Sequence, residues 1–142
     1  MQTPLRVGYA AGVYDLFHIG HLNILRMAKS RCDILVAGVV SDEMALRAKG
    51  RPPVIPLAER VEIVSHISFV DRVHVEAVPD KLDTWRQVGF DLFFKGVDWK
   101  DTPKGADLER RLADVGVAVE YFPYTTQTSS TLLRQVLTDL AS

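Results

Sequence analysis

A single cysteine, Cys32, stands in 142 residues, so no internal disulfide can form and a reducing compartment is the expectation. An excess of either charge is missing too: 17 lysines and arginines against 18 aspartates and glutamates leave a net charge of -1. That balance supports neither a basic nucleic-acid binder nor a protein held on a membrane surface, so neither partner is expected. No apolar run approaches the roughly 20 residues of a spanning helix. The opening "MQTPLRVGYA" lacks the apolar stretch of a secretory signal, which makes the expected location cytoplasmic. No fixed-period repeat and no low-complexity tract divides the chain. Also absent are G-x-x-x-x-G-K-[ST], G-x-G-x-x-G and H-E-x-x-H, which excludes P-loop, dinucleotide-cofactor and zincin readings.

What is present is an ordinary core-forming supply, 47% hydrophobic, in a length that suits one domain over residues 1–142. Short β-rich runs alternate with helical patterns. "LRVGYAA" (5–11) precedes a helical pattern at 20–30, and "DILVAGVV" (33–40) is the near-continuous apolar run of a strand buried on both faces. "SDEMALRAK" (41–49) reads as a short capped helix with acids in its first turn, and the prolines of "GRPPVIP" (50–56) exclude helix. "LAERVEIVSHISFV" (57–70) carries a helical stripe at 57, 61, 64 and 67. Strands are predicted at 72–78, 91–96 and 117–122, with helices at 80–88, at 104–116 (stopped by Gly116) and at 129–140. This alternation predicts one Rossmann-like α/β domain, a five-stranded parallel sheet with helices on both faces. Ligands then bind beyond the carboxyl ends of the strands.

The first of those ends carries "GVYDLFHIGH" (12–21), where an apolar strand turns into a helix N-terminus, a natural anion site. Gly20 permits close approach of backbone to a phosphate. His18 and His21, three apart, share one helical face and offer hydrogen bonds to phosphate oxygens as charge builds there. Helical histidines at this spacing also suit zinc, but such a site needs a third ligand and often a nearby glutamate, and without H-E-x-x-H no metal-ligating set is expected. Asp15 is expected to organise the turn, Trp85 to pack, and His66, His74 and Cys32 to be structural.

"GVYDLFHIGH" resembles the HxGH signature of the cytidylyltransferase-like nucleotidyltransferases. "VVSDEMALRAKGRPPVIPLAERVEIVSHISFVDRV" (39–73) is similar to the middle of glycerol-3-phosphate and phosphoethanolamine cytidylyltransferases, and "KGVDW" (95–99) to their G-D-D-W segment. "YTTQTSST" (124–131) sits where they carry R-T-E-G-I-S-T-T. The resemblance runs in order along almost the whole chain. It implies transfer of a cytidylyl group from CTP to a small phosphate monoester, glycerol-3-phosphate first among the candidates, with release of pyrophosphate. Mg²⁺ or another divalent cation would accompany the nucleotide, and relatives of this kind form homodimers through the first-motif turn, here Tyr14, Phe17 and Ile19.

Carried over residue by residue, the resemblance gives His18, His21 and Lys49 the catalytic work. Val13, Tyr14, His18, Gly20, His21, Arg51, Asp98, Tyr124, Thr125, Ser129, Ser130 and Thr131 would hold the nucleotide. Lys49, Lys81 and Asp42 would hold the acceptor. The chain departs from the family pattern at Tyr124 (arginine there), at Thr126 and Gln127 (glutamate and glycine), and at Val97 (aspartate). These positions leave open an adenylyltransferase using ATP with an FMN or heptose-phosphate type acceptor. A nucleotide-binding regulatory module without catalysis is the reading from another class.

Overall fold

The computed structural model describes residues 4–124 and 129–141. Among the described residues, five strands form one parallel sheet: β1 (Val7–Gly12), β2 (Ile34–Val40), β3 (Arg72–Glu76), β4 (Leu92–Gly96) and β5 (Ala118–Phe122), in the order β3-β2-β1-β4-β5. Six helices connect or follow them: α1 (Ile19–Lys29), α2 (Asp42–Lys49), α3 (Leu57–Ser65), α4 (Lys81–Val88), α5 (Pro103–Ala113) and α6 (Ser130–Ala141). A 3-10 turn, Val97–Trp99, follows β4.

The sheet buries both faces, as its apolar runs predict. On one, Leu25 and Ala28 of α1 and Val64 of α3 pack on Leu35, Ala37, Val39, Leu92 and Phe94. On the other, α4 and α5 set Trp85, Leu108 and Leu112 against Tyr9, Val36 and Phe93. Strands buried on both sides need this covering, since each apolar face removed from water contributes roughly 25 cal/mol per Å². The chain runs outward from β1 to β2 and β3, then returns to place β4 on the other side of β1. The reversal opens a crevice between the carboxyl ends of β1 and β4, where ligands of such sheets bind.

Three elements differ from the sequence pattern. The stripe at 57–70 breaks early: α3 ends at Ser65, where the N–H of His66 bonds the carbonyls of Ile63 and Val64 and the chain turns toward β3. α5 stops at Ala113, and Gly116 (φ 80°) lies in the turn that follows. α6 forms as predicted, but Leu132, Val136, Leu137 and Leu140 are exposed.

Candidate active site

The turn after β1 is built under strain and held from three sides. Tyr14 and Leu16 both take positive φ (55° and 51°), which costs a residue with a Cβ about 1 kcal/mol or more each. Tyr14 folds back, buried, and its hydroxyl donates to Ala10 O at 2.7 Å. Asp15 is buried as well. Its carboxylate accepts the N–H groups of Val54 and Ile55, each at 2.8 Å, and Arg134 Nη1 at 3.2 Å. Its carbonyl accepts the Ser130 hydroxyl. One aspartate thus joins the β1 turn, the proline loop and α6.

The histidine pair begins α1. His18 is the N-cap, its Nδ1 accepting Gly20 N–H at 3.0 Å, while His21 Nδ1 accepts His18 N–H at 3.2 Å. This is a capping box made of two imidazoles. Both accepted bonds place the ring proton on Nε2. Burial pushes His18 below its usual value and takes His21 down to about 4, helped by the neighbouring His18 and Lys49 against the pull of Asp15. The rings are neutral donors at physiological pH. The Gly20 amide is spent on the cap.

These groups converge on a cavity of about 240 Å³ lined by His18, Gly20, His21, Lys49, Tyr124, Ser129, Ser130, Thr131 and Arg134. It adjoins a smaller recess that brings in Val13, Tyr14 and Asp15. Arg51 and Lys49 meet Arg134 beside the prolines of the loop. Lys49 is held below its ordinary value by burial, then by Arg134 and Arg51, against Asp15. Among the described residues neither Lys49 nor Arg51 has an ion-pair partner. A cluster of cations that repel one another, of which only Arg134 is paired (to Asp15) among the described residues, is poised for a polyanion. Ser129 Oγ accepts the Leu132 amide, which caps α6 beside this cavity.

Arg134 was not legible in the sequence, where it is one polar residue of a helical pattern. Its side chain is only 12% exposed, and its Nε is a buried donor without a partner among the described residues. Arg60, also unforeseen, is 1% exposed. Its guanidinium reaches the carbonyls of Val13, Val40 and Ile55 and the Asp42 carboxylate. Asp42, predicted as an acceptor ligand, is therefore engaged by Arg60 and by the Leu57 amide.

Lys81 stands apart from the histidines, at the start of α4, with its Nζ 2.6 Å from Glu76 Oε2. Glu76 is wholly buried, and its other oxygen accepts the Tyr9 hydroxyl at 2.8 Å. Gly38 makes that reach possible, because a Cβ there would fall 1.9 Å from the Tyr9 oxygen. Asp98 sits on the turn after β4 and accepts Tyr124 OH at 3.0 Å. Thr125, with Thr126 and Gln127, lies outside the described residues. Of the turn residues expected at a dimer contact, Tyr14 is buried, Phe17 is partly buried against the core, and Ile19 is exposed. Trp85 packs and donates Nε1–H to Phe90 O.

No group of three or more metal-ligating side chains converges among the described residues. The Asp15 carboxylate already serves two amides and an arginine, so the donor set does not suit a resident metal. Nor is any described helix long and apolar enough to cross a membrane.

Residues 9–136 match the family model described as cytidylyltransferase-like. An FAD synthase of Pyrococcus horikoshii is 36% identical over 110 residues, covering 77% of this chain and 73% of that protein. An ethanolamine-phosphate cytidylyltransferase of Arabidopsis thaliana is 49% identical over 76 residues, covering 54% of this chain but only 18% of the longer relative. Among solved structures, the lipopolysaccharide core biosynthesis protein of Thermoplasma volcanium superposes with a TM-score of 0.73 at 27% identity. That match covers 88% of this chain and 100% of the other.

Proposed function

Given that the chain belongs to the cytidylyltransferase-like family of nucleotidyltransferases, we propose that it transfers a cytidylyl group from CTP to a small phosphate monoester, glycerol-3-phosphate being the best candidate. The observation that carries this reading is the neutral pair His18 and His21, converging with Lys49 and Arg134 on one cavity at the carboxyl edge of the sheet. The alternative from another class, a regulatory nucleotide binder, has no need of two preorganised imidazole donors.

The reaction asks for positioning and charge stabilisation, not for a protein nucleophile. An oxygen of the acceptor phosphate attacks the α-phosphorus of the nucleotide. The bond from that phosphorus to the bridging oxygen breaks, and pyrophosphate leaves with the electron pair. The Nε2–H groups of His18 and His21 donate to phosphate oxygens as charge builds on them. Lys49, Arg51 and Arg134 neutralise the triphosphate, and Val13, Tyr14, Ser129, Ser130 and Thr131 shape its bed. Lys81 holds the acceptor phosphate. A divalent ion such as Mg²⁺ enters with the nucleotide, as part of the substrate. The exposed Ile19 and the apolar face of α6 support assembly as a homodimer.

CTP is favoured over ATP by the 49% identity to a cytidylyltransferase over 76 residues. The likeness to an FAD synthase along more of the chain supports an adenylyl donor as the second reading. The test is pyrophosphate release from CTP and from ATP across a panel of phosphate monoesters. Release from CTP with a polyol phosphate is the expected result. Release from ATP alone would move the chain to the second reading, and none from either nucleotide would favour the binding module.

A further inference from the structure

Lys95 sits at the carboxyl end of β4, half-buried, with no carboxylate at ion-pair distance among the described residues. Its Nζ lies 4.1 Å from the centroid of the Trp99 ring, and Lys104 Nζ approaches the same ring at 5.9 Å. The Trp99 backbone is fixed in place. Its carbonyl accepts the Thr102 hydroxyl at 2.6 Å, and Gly105 packs so close that a Cβ would fall 1.9 Å from that oxygen. Burial depresses Lys95, then the charge of Lys81, against Asp98 and Glu76, with a smaller push from Lys49. Lys95 thus stands at the carboxyl end of the strand that pairs with β1, within electrostatic reach of Lys81 and of Lys49.

From this geometry we propose that Lys95 is a second phosphate-gripping cation of the acceptor site, and that with Trp99 it excludes phosphate esters of amino alcohols in favour of those of neutral polyols. The proposal rests on the transfer reading above. An indole face is the natural seat for an ammonium or quaternary ammonium headgroup. Here that seat is taken by the protein's own ammonium, with a second lysine near the same ring. Of the two anions nearby, one is withdrawn from solvent and the other holds a phenol. Glu76 is buried between Tyr9 and Lys81, and Asp98 accepts from Tyr124. A cationic headgroup arriving beside Lys95 meets the like charges of Lys95 and Lys104, with Glu76 sealed off and the exposed Asp98 already bonded to Tyr124. A hydroxylated chain meets donors that it can accept from.

The test compares kcat/KM for glycerol-3-phosphate and ribitol-5-phosphate with phosphoethanolamine and phosphocholine, read as pyrophosphate release, in wild type and Lys95→Met. Wild type should favour the polyol phosphates by about tenfold or more. Lys95→Met should raise the KM for polyol phosphates about tenfold, leave the nucleotide KM within about twofold, and narrow the gap to phosphocholine. It should leave Tm little changed, because relief from burying a charge offsets the lost contact with the Trp99 ring. Equal use of phosphocholine by wild type overturns the proposal, as does a variant with unchanged acceptor KM or a nucleotide KM that rises instead. A stability loss with unchanged selectivity would make Lys95 a packing residue and overturn it too. Failure of the transfer reading has its own signature, no pyrophosphate with any acceptor, and takes this proposal with it.

Discussion

The imidazoles of His18 and His21 lie 4.1 Å apart, centroid to centroid, and each turns its Nδ1 toward a backbone amide at the start of α1. The arrangement fixes both tautomers and leaves two Nε2–H donors for a ligand. His18→Ala or His21→Ala should lower turnover by roughly 10²-fold or more, the loss typical of one preorganised donor. Glutamine variants, which also donate, should recover part of it. Turnover near the wild-type value in either alanine variant would reduce the pair to a helix cap.

The depressed His21 has a consequence for stability. Its value in the fold is about 4, against about 6.5 in the unfolded chain. Between those values the unfolded state binds more protons, so stability rises with pH across this window and is flat above it. Acid should therefore weaken the fold from about pH 6.5 downward, as His21 is forced to charge. Denaturant titrations at pH 5 and pH 7.5 check this, and His21→Gln should shrink the difference between them. An unchanged difference would mean that other groups carry the acid sensitivity.

Arg134 meets the buried Asp15 with Nη1, and its buried Nε beside the cavity has no partner among the described residues. Arg134→Met should raise the nucleotide KM by about tenfold or more and leave the acceptor KM little changed. Arg134→Lys should restore only part, since a point charge does not replace a planar fork of donors. An effect confined to the acceptor would move Arg134 to the other half of the site.

Arg60 is a structural counterpart, buried with its donors on the carbonyls of Val13, Val40 and Ile55. Arg60→Ala would orphan those acceptors, at a cost of about 3 kcal/mol or more in sum. Arg60→Lys cannot reach them all with one ammonium. Both should unfold at lower denaturant, with the lysine variant between alanine and wild type. Wild-type midpoints would show that water replaces the guanidinium without loss.

What the sequence made legible follows from periodicity and local chemistry. The alternation of strands with helices, the double burial of β2 and the turn around His18 and His21 all depend on neighbours within a few residues. Arg60 and Arg134 escaped because each reads locally as the polar face of an amphipathic helix. Their partners lie far off in sequence, Val13 and Asp15 among them, and spacing along a helix does not reveal what packs opposite. Asp42 shows the converse. A first-turn acid near a motif looks available until the fold places Arg60 against it. The end of α3 escaped because the apolar position at Ile67 continues the stripe after the backbone has left the helix.

Tyr124 carries the last prediction. Replacing an arginine of the family pattern removes a fixed cation, and the phenol instead donates to Asp98 at 3.0 Å. Burial and the Asp98 carboxylate raise its proton affinity, so it remains a neutral phenol. It lines the cavity with His18, Lys49 and Arg134, and its ring is 66% exposed, open to a base or ribose. The cations already there can supply the charge that a tyrosine does not. Tyr124→Phe keeps the ring and loses only an exposed hydrogen bond of about 1 kcal/mol, so the nucleotide KM should change by less than about fivefold. Tyr124→Ala removes the flat surface and should raise that KM by about tenfold. CTP should exceed ATP as donor in wild type and in the phenylalanine variant. Equal losses in both variants would shift the role to the hydroxyl and its bond to Asp98, and a wild-type preference for ATP would replace the cytidylyl assignment with the adenylyl one.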